Sequence, residues 1–325
     1  MAEWLYEQGI GENRAILVDG DHVLEAAIEL PGTLAAGTVA DGRLTSIMVP
    51  GRRGIVRIGD GEAVIEPLPG RLTEGQKLRV EIVREAIGEE GRPKLARCRQ
   101  SDSDPRPGPA LAERIGGFTR NDGPGSDRFE QAGWSELLEE AASGEMEFPG
   151  GALRMSLTPA MTLFDVDGTL PTAELAAAGA EAVGRAIRRL GISGSIGIDL
   201  PTLAGRSERQ RAAAALDAVL PQPFERTAVN GFGFLQVVRR RERASLPELL
   251  RSDPAGAAAR ALLRKAERAP GAGERVLTAA PAVVARIEAN PDWIAELERR
   301  TGAPAALRAD TGLAISAGHA QSRFA

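Results

Sequence analysis

The segment Met161-Thr-Leu-Phe-Asp-Val-Asp-Gly168 constrains the fold of this chain more than any other. An apolar run ends in two carboxylates one strand period apart. Asp165 and Asp167 are therefore expected on one face at a strand's end, with Gly168 turning the chain away. Ser195-Ile-Gly-Ile-Asp199 repeats the pattern after a segment with helical periodicity at 172–190. The spacing from Asp165 to Asp199 is that of one strand-helix-strand unit. Two neighbouring strands ending in aspartate would make a hard, oxygen-rich site for Mg²⁺ or Mn²⁺, with Asp165 and Asp199 as ligands.

The rest of the chain reads as an α+β protein in several parts. Two apolar runs flank Asp19-Gly20-Asp21, a hairpin signal that defines an N-terminal segment, 1–33. Short glycine-punctuated strands at 44–49, 54–58, 63–65, 78–83 and 94–98 predict a small all-β barrel or sandwich over 34–100. Residues 101–147 begin rich in Asp, Pro, Gly and Ser and contain one expected helix, 134–142; they read as a linker or reduced subdomain. Alternating strands and helices over 148–246, with a second helix at 207–220 and a strand at 232–238, form the α/β unit that carries the aspartates. A small α/β unit is expected over 247–325, with helices at 256–268 and 280–299 and strands at 275–279, 305–308 and 312–316.

Composition removes several chemistries. Cys98 is the only cysteine, which rules out an intrachain disulfide and a thiolate zinc cluster. With His22 and His319 as the only histidines, a nucleophilic triad is not expected. The N-terminus lacks a signal-peptide pattern and no run of about 18 apolar residues appears, so a cytoplasmic protein without membrane contact is expected. The net charge of −5 means that any polyanion-binding surface must be local. Arg239, Arg240 and Arg241, at the end of the 232–238 strand, are the expected source of positive potential beside the carboxylates.

Two families resemble parts of the chain. Leu163-Phe-Asp-Val-Asp-Gly-Thr-Leu170 is similar to the first motif of haloacid-dehalogenase-type phosphatases, which would make Asp165 a phosphoryl acceptor and Asp167 a general acid. The late acidic pair of that family has no counterpart after Asp199, where Asp217, Asp253, Asp292 and Asp310 are scattered. A longer series of segments resembles the RNase E/G endoribonucleases. It runs through the hairpin from Ala15 to Asp21, the stretch from Glu74 to Leu95, Phe148-Pro-Gly-Gly151, the strand into Asp165, Glu181 to Leu190, the strand into Asp199, Phe232 to Arg241, and Asn290-Pro-Asp-Trp-Ile294.

The RNase E/G resemblance implies an S1-like barrel, a DNase I-like catalytic domain and a small C-terminal domain. It also implies Mg²⁺-dependent hydrolysis of single-stranded RNA, leaving a 5′-phosphate and a 3′-hydroxyl. Asp165 and Asp199 would hold the metal, and Asp167 would orient water or add a third carboxylate. The departures are specific. Asp167 stands where the family has Asn, and Leu200-Pro-Thr follows Asp199 where a second acidic residue is usual. The segment 101–147 is too short for the 5′-sensing subdomain. The family's Cys-x-x-Cys zinc link is absent, so any homo-oligomer would form without it. No aromatic residue lies between Tyr6 and Phe118, so the barrel lacks a stacking platform. These departures leave a second expectation, an RNA-binding relative that does not cut.

Overall fold

Alternating burial, with glycine at the turns, shapes the first hundred residues of the computed structural model, which describes residues 1–89, 93–121 and 127–323. Strands β1 (Glu3–Gln8), β2 (Asn13–Asp19) and β3 (His22–Glu29) form an antiparallel meander, and Gly20, at φ 59°, makes the expected β2–β3 turn. Next come β4 (Val39–Val49), β5 (Arg53–Ile58), β6 (Gly61–Ile65), β7 (Lys77–Arg84) and β8 (Ala96–Gln100), which close into a five-stranded barrel in the order β4-β5-β6-β8-β7. Leu78, Val80 and Ile82 of β7 point inward with Leu44, Val56, Ile65 and Cys98, while Lys77 and Arg79 stay outside, as a strand period of two requires. Residues 90–92, within the 74–95 stretch used to recognise the barrel, lie outside the described residues.

Burial pushes the Cys98 thiol up to about 12. The folded protein at pH 8 should therefore resist alkylation by iodoacetamide, and denaturant should expose one reactive thiol. Labelling of the native chain at the rate of the unfolded one would show the barrel core to be open.

The segment expected to be a linker is built into the core. It contains α1 (Leu111–Ile115), β9 (Thr119–Arg120), α2 (Arg128–Gln131) and α3 (Trp134–Ser143). Strand β9 runs parallel to β1, Leu111 is buried against Tyr6 and Ala15, and Phe129 and Trp134 are fully buried in the main apolar cluster. Polar composition hides this, because a few large side chains do the anchoring. Residues 122–126 of this stretch lie outside the described residues.

The central unit starts with β10 (Glu145–Phe148), β11 (Gly151–Leu157), β12 (Thr162–Gly168) and α4 (Thr172–Arg189). It continues with β13 (Gly194–Asp199), α5 (Arg206–Val219), β14 (Glu225–Arg226) and β15 (Phe234–Arg239). Its six strands are ordered β10-β11-β12-β13-β15-β14, and only β12 and β13, joined through α4, are parallel. Ala176, Ala180, Val183 and Ile187 recur at helical spacing on α4 and share one core with Phe164, Val166, Ile196 and Ile198 of the sheet. Leu5, Ile16, Val18 and Ala26 of the N-terminal meander join the same core. Helix α4 is thus held between two sheets, and the far face of the six-stranded sheet is left to solvent.

Helix α6 (Leu246–Ser252) leads to the C-terminal unit: α7 (Pro254–Arg268), β16 (Glu274–Ala279), α8 (Pro281–Glu288), α9 (Pro291–Thr301), β17 (Ala305–Ala309) and β18 (His319–Arg323). The strand expected over 312–316 is instead a loop with a 3-10 turn, and the third strand beside β16 is β18. The Asp310 carboxylate accepts a hydrogen bond from the Gly312 N–H, 2.9 Å, which turns the chain before a strand can start. A network of buried charge ties this unit to the meander. Arg14 reaches Glu7 and Asp127, while Arg260 and Arg264 of α7 both reach Glu12. No helix among the described residues is long and apolar enough to cross a membrane.

Candidate metal centre on the open sheet face

The strand pattern places Asp165 and Asp199 as a pair. In β12, Phe164 and Val166 face the core, so Asp165 and Asp167 face the open side, and all three aspartates of the expected site are exposed. Asp165 is the register partner of Asp199 on the parallel strand β13. Register partners on adjacent strands lie roughly 5 Å apart with side chains on the same face. Across the sheet the row reads Glu145, Arg154, Asp165, Asp199 and Phe234. Asp167 lies one strand period beyond Asp165, opposite Ala152 and past the last residue of β13.

Like-charged carboxylates at adjacent register positions repel, by roughly 1 kcal/mol in water when the charges stand about 5 Å apart. Neither Asp165 nor Asp199 has an ion-pair partner among the described residues, although exposed Arg154 is next to Asp165 in the row. A divalent cation relieves such a clash. Mg²⁺ keeps several waters and takes one or two carboxylates, so this donor set fits it. No group of three or more His, Cys, Asp or Glu side chains among the described residues is close enough to share a metal ion. Asp165 and Asp199 are thus the pair the fold brings together, with Asp167 on the same face but one step removed.

The arginine triplet lies elsewhere, which corrects the expected grouping. Phe234 is level with Asp199, whereas Arg239 is level with Gly194 at the other end of β13, about 17 Å away at 3.4 Å per residue. The odd spacing from Phe234 also puts Arg239 on the helix-covered face. There its guanidinium donates to the Ile192 carbonyl, 3.1 Å, and burial lowers its pKa. Arg240 pairs with Glu242 at 3.1 Å and Arg241 with Glu248, while Arg243 pairs with Glu85 of the barrel at 3.1 Å. The Glu85 N–H also donates to the Glu242 carbonyl, 2.8 Å, so the basic run helps anchor the barrel to the sheet.

Two features were missed in the sequence, one on the barrel and one beside the aspartates. On the barrel exterior, Arg57, Arg43 and Lys77 form one cross-strand row, a local basic surface readable only once the strands are in register. The other is aromatic. Phe234 shares the face of Asp199, and a Cβ at Gly197 would stand 2.6 Å from its ring, 2.7 Å from Leu163 and 3.1 Å from Met161. Gly197 is therefore the space in which that ring rests. Gly197→Ala should cost about 1–3 kcal/mol by overpacking, measured as a lower urea midpoint with an unchanged slope. Wild-type stability in this variant would mean that the ring sits elsewhere. The parity of Phe234 with Asp199 across β13 and β15 was the signal that could have revealed this aromatic.

Comparison with protein-family models and with curated proteins found no match to this chain.

Proposed function

We propose that this protein is a metal-dependent endoribonuclease that hydrolyses single-stranded RNA and resembles the RNase E/G enzymes, with Asp165 and Asp199 as its Mg²⁺ or Mn²⁺ ligands. The observation that carries the reading is the in-register pairing of these two aspartates on parallel strands of an uncovered sheet face. In this reading the closed barrel is S1-like and supplies a basic surface for RNA, and the six-stranded unit is DNase I-like. Zinc plays no part, and the site of action is the cytoplasm.

Asp165 and Asp199 hold the cation and present it on a face that an extended strand of RNA can reach. When bound, the cation polarises a phosphodiester oxygen and makes water a competent nucleophile near neutral pH, which a chain with two histidines needs. Asp167, on the same face, accepts a hydrogen bond from the attacking water and orients it. Arg154 places a guanidinium beside Asp165, where it can contact a phosphate oxygen.

The test uses purified full-length chain with a 5′-labelled single-stranded RNA in Mg²⁺ and in EDTA, followed by analysis of the product ends. Internal cuts in Mg²⁺ alone, leaving 5′-phosphates, are expected. Binding without cutting would favour a non-catalytic RNA-binding relative, a reading that fits the lack, among the described residues, of a third acidic side chain close enough to share the metal. Release of phosphate from small phosphomonoesters with the RNA left intact would favour the phosphatase. Against that last reading, Asp217 and Asp253 are already paired, with Arg226 and Arg286.

A further inference from the structure

We infer that Phe232 is a stacking shelf for an unpaired RNA base next to the phosphate held at Asp165 and Asp199, an inference that rests on the endoribonuclease reading. At 83% exposure, Phe232 is the only aromatic among the exposed large apolar side chains of the described residues. A single exposed apolar side chain is ordinary on a protein surface. This one is held out by a built turn. The Asn230 side-chain oxygen accepts hydrogen bonds from the backbone N–H groups of both Phe232, 2.9 Å, and Phe234, 3.0 Å. Gly233 between them has φ +92°, and a Cβ there would stand 2.1 Å from the Leu200 carbonyl oxygen, so the loop is pressed against the residue that follows Asp199. The Thr202 hydroxyl donates to the Phe232 carbonyl, 3.4 Å, from the same segment.

The shelf therefore stands at the aspartate end of the sheet, with Phe234 in the same row as Asp199. A flat, solvent-exposed ring offers a base its π-face with little regard to sequence, and only an unpaired base has a free face to offer in return. The surroundings argue against a protein partner. Asp165, Asp167 and Asp199 make this end of the face acidic and exposed, and a metal-neutralised carboxylate pair beside an aromatic suits a phosphate and its adjoining base. The arrangement also restores, in the α/β unit, the stacking that the aromatic-free barrel lacks.

The experiment measures binding of a short fluorescein-labelled single-stranded RNA, and of the same sequence as a duplex, in Mg²⁺. The full chain keeps Asp165 and Asp199, and binding is read on ice before cleavage accumulates. Adding Phe232→Ala should weaken single-strand binding about tenfold, Phe232→Trp should retain it, and duplex binding should change less than twofold. Single-strand affinity of Phe232→Ala within twofold of its parent would overturn the shelf, as would a chain that binds no single-stranded RNA. The nuclease reading is scored separately, by cleavage with the wild-type chain. Aspartate-dependent cleavage with unchanged Phe232→Ala binding removes the shelf and spares the nuclease. A tenfold binding loss without any cleavage upholds the shelf and removes hydrolysis.

Discussion

Asp165→Asn and Asp199→Asn are each expected to lower Mg²⁺-dependent RNA cleavage by more than 100-fold while leaving the fold intact. The two carboxylates are register partners, so replacing one halves the donor set instead of trimming a redundant cluster. Metal assistance is worth several kcal/mol of transition-state stabilisation, and each 1.36 kcal/mol is a factor of ten in rate. Stability should move the other way. Both side chains are exposed and have no ion-pair partner among the described residues, and neutralising either removes a like charge from the metal-free site. The expected pattern is a melting temperature in EDTA equal to or slightly above wild type, together with loss of the stabilisation that added Mg²⁺ gives by mass action. Asp167→Asn restores the residue type that the RNase E/G resemblance expects and should retain cleavage. Should wild type and both ligand variants cleave equally, the activity belongs to a contaminating nuclease and the proposal falls.

Arg14→Ala is expected to destabilise the protein by about 3–5 kcal/mol, the usual cost of stripping one partner from a buried ion pair. Arg14 has no solvent exposure. It donates to Glu7 at 3.0 Å and Asp127 at 3.3 Å, and its guanidinium stacks 4.1 Å from the Phe129 ring centre and 5.0 Å from that of Trp134. Glu7 also takes hydrogen bonds from Asn121, 2.8 Å, and from Arg268 of α7. Removing Arg14 leaves Glu7 and Asp127 with less compensation and opens a void against Phe129. Replacing the pair together, as Arg14→Met with Glu7→Gln, should cost clearly less than the sum of the two single changes, because no unpaired charge is left inside. Additive losses in urea unfolding would show that the two side chains do not act as a pair.

The same network sets an acid limit. Burial alone would raise the Glu7 pKa. Arg14, by charge and hydrogen bond, with Arg268 and Asn121, outweighs it and holds the carboxyl below its ordinary 4.5. Asp127 is likewise lowered below 3.8 by Arg14, Arg268 and two backbone N–H groups, against the opposing effect of burial. Because both folded-state pKa values are depressed, their stabilisation is fully present above the ordinary carboxylate range. It is lost as pH falls from about 4.5 through the folded values. Unfolding at fixed urea should therefore steepen below pH 4.5 in wild type, and less so in the double variant.

Local pattern and tertiary placement divide the site unevenly. The two aspartate-ended strands, the helix between them, the β2–β3 hairpin and the short glycine-punctuated strands of the barrel were legible, because each depends on neighbours within a few residues. The role of Phe129 and Trp134 was hidden in a polar stretch whose composition resembles a linker. Arg260, Arg264 and Arg268 recur at four-residue spacing on α7, but their partners, Glu12 and Glu7, lie at the other end of the chain, so the ion-pair network was not legible. Arg239, Arg240 and Arg241 were assigned to the aspartates because they end a strand of the same sheet. Strand direction and residue parity send Arg239 to the other end and the other face.

By itself the sequence determined that two strands would end in carboxylates and, with a single cysteine, that no intrachain disulfide could form. Tertiary structure alone decided which carboxylates meet, which face stays uncovered and that Phe232 and Phe234 stand beside them. The physical reason is that periodicity acts along a segment, whereas register, strand order and helix coverage arise from packing between segments far apart in the chain.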